Sequence, residues 1–185
     1  MRKIIAAINM TLDGHCDHDA IEPDEEIHQH YTELLKDTGA ILYGRTTFQL
    51  MEYWKPFLKV PSGDSSMDDF ARAINEIPKI VFSHSMQETG WESAALAEKS
   101  LEEEVADLRK HAGKDVLVGS RSLILQLLQL GLLDELQLCV HPVIAGKGLP
   151  LFQEMKVRRV LRLVKTRSFG GGAVLLYYRL TYGDI

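Results

Sequence analysis

At 185 residues, with 45% hydrophobic and 25% charged side chains, the chain is long enough to bury a proper core and reads as one globular domain over residues 1–185. A net charge of −5 argues against a nucleic-acid binder, and no apolar stretch approaches the roughly 20 residues that span a bilayer. Two cysteines, Cys16 and Cys139, do not make a disulfide framework, so a reducing, cytoplasmic setting is expected.

Lys3–Asn9 is a near-continuous apolar run and predicts the first strand, ended by Met10-Thr11-Leu12-Asp13-Gly14. A polar loop with His15, Cys16, Asp17 and His18 follows. Pro23 suits the first turn of a helix, and Asp24, Glu25 and Glu26 suit its positive end. Ile27, Tyr31, Leu34 and Leu35 fall on one helical face, and Gly39 stops that helix. Ala40–Tyr43 predicts a second buried strand. It runs into Gly44-Arg45-Thr46-Thr47 and a short helix reaching Tyr53.

Residues Trp54–Ser66 hold two prolines and a glycine and read as a loop. Ser66 with Asp69 has the spacing of a capping box for a helix ending before Pro78. Lys79–Phe82 predicts a third buried strand, ending at Ser83-His84-Ser85, and Trp91–Ala95 a short one. Ser100 with Glu103 is a second capping box. Leu101, Val105 and Leu108 give its helix an apolar face.

The most informative stretch is Val116–Leu133. Val116, Leu117 and Val118 end abruptly at Gly119-Ser120. A leucine-rich helix follows, and Gly131 suits its C-cap. Glycine lets backbone approach a ligand, and a helix N-terminus offers free N–H groups and partial positive charge, the usual resting place of a phosphate. The Gly44-Arg45 junction is a second turn of this kind.

Glu135–His141 alternates, with Leu136, Leu138 and Val140 on one side, and predicts a strand covered on that side only. Pro142–Met155 is a long loop of the length often used for function. Val157–Arg167 and Ala173–Thr181 read as a hairpin joined by Ser168-Phe169-Gly170-Gly171-Gly172. Lys156, Arg158, Arg159, Arg162, Lys165 and Arg167 make the first of these strands basic, a common guard against edge pairing. Alternating strands and helices imply an α/β fold: a mostly parallel sheet with helices on both faces and antiparallel strands at one edge. Ligands of such sheets sit beyond the carboxyl ends of the strands. Asp13, Gly44-Arg45-Thr46, Ser83-His84 and Gly119-Ser120 should therefore border one crevice.

Several of these segments resemble the dihydrofolate-reductase-like superfamily, in the expected order along essentially the whole chain. They are Gly44-Arg45-Thr46-Thr47, Gly119-Ser120 before the leucine-rich helix, Gly131-Leu132-Leu133-Asp134-Glu135-Leu136, and His141-Pro142-Val143-Ile144-Ala145-Gly146-Lys147-Gly148. Thr11-Leu12-Asp13-Gly14 is similar to the Ser-Leu-Asp-Gly turn of one branch, the C-terminal reductase domain of the bifunctional riboflavin-biosynthesis deaminase-reductase and its stand-alone relatives.

The resemblance implies a three-layer α/β/α fold on a mixed sheet of about eight strands. It also implies an NADPH-dependent reductase akin to 5-amino-6-(5-phosphoribosylamino)uracil reductase, acting on a small heterocyclic or imine-like substrate. By position, Gly44, Arg45, Thr46 and Thr47 would form the first phosphate-binding turn. Arg45 and Ser83 would lie towards the adenosine 2′-phosphate, and Gly119, Ser120, Arg121 and Ser122 would hold the pyrophosphate. Asp13, the candidate catalytic residue, Trp54 and Lys147 would border the substrate.

Two departures stand out. Folate reductases of the superfamily carry a carboxylate in the first helix, and that place falls near His28. The segment after Gly14 lacks the tryptophan-bearing stretch of the riboflavin branch. A non-catalytic NADP(H)-binding protein and a reductase with a pteridine-type substrate are the alternatives. The ligand-type side chains of His15, Cys16, Asp17, His18, His28 and His30 match no standard metal spacing, so no metal is expected. The greasy outer side of Leu123–Leu133 and the half-alternating strand at Leu136–Val140 predict a homodimer.

Overall fold

The computed structural model describes residues 1–182 apart from residues 154 and 157. Strand β1 (Ile4–Thr11) lies at the centre of the sheet, with β2 (Ala40–Gly44), β3 (Lys79–Phe82), β4 (Ala94–Leu96) and β5 (Val116–Val118) on one side. On its other side are β6 (Glu135–His141), β7 (Leu161–Ser168) and β8 (Val174–Leu180). The order is β4-β3-β2-β5-β1-β6-β8-β7. Pairing is parallel from β4 through β6 and antiparallel for β6–β8 and β8–β7. This is the eight-stranded mixed sheet with a closing hairpin that the sequence implied.

Helices α1 (Glu25–Asp37), α2 (Arg45–Met51) and α3 (Ser65–Glu76) cover one face; α4 (Leu101–Lys110) and α5 (Arg121–Leu130) cover the other. The register separates the two cores. Ile4, Ala6, Leu42, Val116 and Val118 meet Leu123, Ile124, Leu127 and Leu128 of α5. Ile5, Ile41, Tyr43, Val81 and Leu117 meet Phe48 of α2 and Ile74 of α3. Ile124 and Leu127 are fully buried, and side chains of this kind contribute on the order of 1.5–3 kcal/mol each. Gly131, at φ 72°, closes α5 in the left-handed conformation open to glycine.

Several boundaries differ from the sequence reading. Strand β1 runs on through Met10 and Thr11, because β6 pairs with it as far as Thr11↔His141. Pro23 lies outside α1. Asp24 is the cap, accepting from Ile27 N at 3.0 Å. Residues Glu52–Leu58, expected mostly as loop, form a 3-10 helix that accommodates Pro56. Helix α3 is capped not by Ser66 but by Asp64, whose carboxylate accepts from Ser66 N at 2.8 Å. The Ser100–Glu103 capping box is present as expected. Strand β4 is Ala94–Leu96 rather than Trp91–Ala95. The hairpin's first strand begins at Leu161, and Val157 lies outside the described residues.

The half-covered reading of Glu135–His141 is overturned. Leu136, Leu138, Gln137, Cys139 and His141 are all buried, so β6 is an interior strand sealed on both faces. Its polar residues are partly paired: Gln137 Nε2 donates to Glu135 at 2.8 Å, with Gln137 Oε1 left unpartnered among the described residues, and His141 Nε2 lies 3.0 Å from Asn9 Oδ1.

Candidate functional site

The parallel order β3-β2-β5-β1 puts the carboxyl ends of four neighbouring strands along one rim. The two glycine turns touch there. Gly44 N donates to Ser120 Oγ at 2.8 Å, across 76 residues of chain. A side chain on Gly44 would come within 3.3 Å of Ser122 Oγ, and one on Gly119 within 2.7 Å of the buried Tyr43 ring. Gly119 has no room for a side chain against the buried ring, and at Gly44 the fit beside the Ser122 hydroxyl is tight.

The helices that follow differ from the rest. Asp24, Asp64 and Ser100 cap α1, α3 and α4, whereas α2 and α5 have no side-chain cap. Ser120, placed to cap α5, is turned to Gly44 instead. The first-turn N–H groups of Arg121, Ser122 and Leu123 therefore keep their donors and the partial positive charge of a ten-residue helix. Thr46 and Thr47 stand in the first turn of α2.

Arg45 is exposed, and its Nη1 donates to Ser85 Oγ at 2.6 Å. Among the described residues no carboxylate pairs with it. Ser83 organises the same turn: its Oγ accepts from Ser85 N at 3.2 Å and Met86 N at 3.1 Å. The sequence points to Ser83 and not to Ser85. The two serines are indistinguishable by pattern, and only the reach of the guanidinium separates them.

Arg121 departs from the expectation. Its Nε donates to Pro150 O at 2.6 Å, so it ties the 142–151 loop to the start of α5. That loop is laced to residues 11–17: Leu12 N donates to Val143 O, Leu151 N to Gly14 O, and Cys16 N to Leu149 O. Asp13 completes the lacing by accepting from Thr11 Oγ1 at 2.6 Å, Ala145 N at 3.1 Å and Gly146 N at 2.7 Å. These hydrogen bonds hold its carboxyl well below the usual range. Asp13 is thus an ionised loop fastener, and at neutral pH it has no proton to give. Asp13→Ala should leave the sheet intact. Amide exchange at Ala145 and Gly146 should rise by roughly 10-fold, because both N–H groups lose a charged acceptor.

Trp54 is half-buried, edge-on to His28 at 5.7 Å and 4.6 Å from Phe70 between ring centroids. Burial pushes the His28 imidazole below its ordinary value, so it is neutral at pH 7. Lys147 is exposed between Gly146 and Gly148 on the laced loop. Sequence reasoning misses Asn9. Its Oδ1 receives Tyr31 Oη at 3.1 Å as well as the His141 ring, at the end of β1 that faces α1. A polar residue closing an apolar strand is the signal that could have found it. A concavity of about 580 Å³ lies between Lys55, Pro56, Leu58 and Trp91, and none of the turn residues lines it. The turns stand out by their free donors.

Sheet order, layers and turns define a dihydrofolate-reductase-like α/β fold of the RibD reductase type. The chain belongs to the RibD C-terminal domain family, which matches residues 2–175. It is 34% identical to the uncharacterised protein YyaP of Bacillus subtilis, over 96% of this chain and 94% of that one. A second B. subtilis protein, the uncharacterised YwjB, is 24% identical over 80% of this chain and 78% of its own length. A solved structure from Shewanella sp. PV-4 superposes with TM-score 0.72 at 20% identity, covering 98% of this chain and all of that one. The Thermotoga maritima diaminohydroxyphosphoribosylaminopyrimidine deaminase/5-amino-6-(5-phosphoribosylamino)uracil reductase superposes with TM-score 0.64 at 20% identity. There the match covers 97% of this chain and 57% of the bifunctional protein.

Proposed function

We propose that this protein is an NADPH-dependent reductase of the 5-amino-6-(5-phosphoribosylamino)uracil reductase type, acting in the cytoplasm on a small heterocyclic or imine-like substrate. The observation that carries the reading is the contact between two uncapped helix starts, residues 44–47 and 119–122, beside an arginine with no acidic partner among the described residues. A dinucleotide carries more than one phosphate group, and free N–H groups and a planar guanidinium are the donors phosphates take.

The residues fit the cofactor. Gly44 leaves room at the junction beside Ser120 and Ser122, and Gly119 lets the turn pack on the buried Tyr43 ring. Thr46, Thr47 and Ser122 offer hydroxyls, and the first turn of α5 offers N–H groups to the pyrophosphate, while buried Ser120 joins the two turns by accepting from Gly44 N. Arg45, with Ser83 and Ser85 beside it, suits the 2′-phosphate. The nicotinamide, when bound, supplies the hydride. This chain positions the acceptor: Trp54 and neutral His28 form an aromatic wall, the loop laced by Asp13 closes one side, and Lys147 stands on that loop to meet an anionic group. His28 near the place where the folate reductases of the superfamily carry a carboxylate disfavours folate.

A second reading, a non-catalytic NADP(H)-binding protein, draws on the ionised state of Asp13, which leaves that residue no proton to donate. Loss of dihydronicotinamide absorbance, followed across pyrimidine, pteridine and quinone substrates, separates the two. Turnover of any one supports the reductase. NADPH binding without turnover supports the second reading, and absence of NADPH binding overturns both.

A further inference from the structure

Strand β1 lies in the middle of the sheet, yet it is covered unevenly. Ile4, Ile5 and Ala6 are buried, whereas Ala7, Ile8, Asn9 and Met10 are only partly covered. Its pairing with β5 stops at Ala6↔Val118, while its pairing with β6 runs on to Thr11↔His141. Side chains alternate along a strand, so Ala7 and Asn9 share the face of Ile5, which packs towards α2 and α3. Ala7 borders that core together with Leu34 of α1 and Trp54, both also partly covered. An interior strand left half bare on one face marks a gap in the helix layer. The gap opens beside the Gly119-Ser120 turn, because β5 ends there.

Asn9 is the polar residue that β1 sends into that gap, and its amide oxygen is fully engaged. Tyr31 Oη donates to Oδ1 at 3.1 Å, and His141 Nε2 lies 3.0 Å from the same atom. An amide oxygen only accepts, so His141 carries its proton on Nε2. Burial keeps the Tyr31 hydroxyl protonated and holds the His141 imidazole below its ordinary value, so both partners are neutral at pH 7. Two donors on the oxygen fix which way the amide faces. Its nitrogen makes no hydrogen bond among the described residues, and it is not sealed in the interior. Nδ2 therefore presents two N–H groups with no protein acceptor among those residues. No charged side chain is hydrogen-bonded to the three residues within the same set.

We propose that Asn9, held by Tyr31 and His141, is a specificity-determining residue: its amide nitrogen selects substrate rings that present a hydrogen-bond acceptor over rings that present amino groups. The inference rests on the reductase reading, which makes this gap the place of the hydride acceptor. An uncharged pair of donors suits a ring carbonyl or ring nitrogen. A carboxylate or phosphate calls for a cation, and an amino-bearing ring edge sets donors against donors. His28 and Tyr31 stand three residues apart on α1, and Trp54 lies edge-on to His28, so aromatic groups border the same side. An N–H covered by a ligand that lacks the acceptor loses its water and gains nothing, and that penalty is the source of the selection.

Lumazine, a pteridine dione, and diaminopteridine are flat rings of one size that differ in carrying carbonyl oxygens or amino groups at the same two positions. Isothermal titration of the wild-type protein holding NADP+ should show lumazine bound roughly 10-fold tighter than diaminopteridine. Asn9→Leu should bind the two alike. Asn9→Asp should reverse the preference, since a carboxylate presents only acceptors. Tyr31→Phe should shrink it, because the amide loses one of the two donors that hold it. The ratio of the two affinities reports recognition rather than general damage, and the wild-type comparison needs no folded variant. NADP+ is titrated first. Absence of NADP+ binding overturns the reductase reading and this proposal together. With NADP+ bound, a wild-type protein that takes neither ring or prefers the diamine overturns the proposal alone, and so does a lumazine preference that survives in Asn9→Leu or Asn9→Asp.

Discussion

Replacing Arg45 with alanine is expected to weaken NADPH binding by roughly 10- to 100-fold while leaving NADH binding nearly unchanged, the loss corresponding to a charge-assisted phosphate contact of about 1.5–3 kcal/mol. The guanidinium is already steered to the β3 turn by Ser85 and has no carboxylate to leave among the described residues. A bare alanine therefore subtracts the phosphate contact without opening a buried charge elsewhere. Arg45→Lys should recover only part of the loss, since an ammonium lacks the planar fork. Circular dichroism should be unchanged, because the side chain is exposed and makes no core contact. Isothermal titration with each nucleotide checks both arms. Equal loss for NADPH and NADH would place Arg45 away from the 2′-phosphate.

The second large effect concerns stability. Lys79 is 2% exposed, inside the sheet edge, with no carboxylate paired to it among the described residues. Its Nζ donates to Ile77 O at 2.9 Å and Ser93 Oγ at 2.7 Å and lies 4.3 Å from the centre of the Trp91 ring. Burial, with a smaller push from Lys55, lowers its pKa from 10.5 to about 8. At pH 7 the folded and unfolded chains both carry the proton, and the fold bears the full cost of the buried charge. Above about 8 the folded protein releases the proton while the unfolded chain still holds it, so rising pH stabilises the fold until about 10.5. Roughly 2 kcal/mol should be gained by a pH of about 9.5, at ~1.36 kcal/mol per unit. Cys139 and Cys16, whose thiols burial pushes up, oppose the trend from about pH 9, and Tyr31 and Tyr43 do so above the ordinary tyrosine range. The Lys79 contribution is therefore the difference between the wild-type and variant slopes. Urea unfolding between these limits measures the slope, and Lys79→Met should flatten it. An equal slope in the variant would assign the gain to another group.

The parts of this molecule legible in its sequence are those where one local signal decides. Val116–Val118, Gly119 and the leucines of α5 can be read because an apolar run, a glycine and a helical repeat follow in order, and the structure has them so. The Ser100 capping box is legible because serine and glutamate stand at the required spacing with no competitor. At α3 there is a competitor. Asp64 lies two residues before Ser66 and its carboxylate reaches both Ser66 N and Met67 N. Alternation misleads at β6, where Gln137, Cys139 and His141 mimic a solvent-facing row. They are buried beneath α1 and the hairpin, a tertiary fact that no window along the chain contains.

The site divides in the same way. The two glycine turns are visible as strand–glycine–helix junctions, and their contact follows once β2 and β5 are neighbours. The work of Arg121 and Asp13 is not visible. Both serve the 142–151 loop, whose path over residues 11–17 is set by backbone hydrogen bonds and leaves no trace in side-chain pattern. Asn9, Tyr31 and His141 are far apart in the chain and meet only because β1 and β6 pair in register.

The central claim is that one dinucleotide bridges the turns after β2 and β5. Amide hydrogen exchange with and without saturating NADPH tests it most directly. Binding should slow exchange together at residues 45–47 and 121–123, with the β4 edge unaffected. Protection of only one turn, or of neither while NADPH is bound, would contradict it.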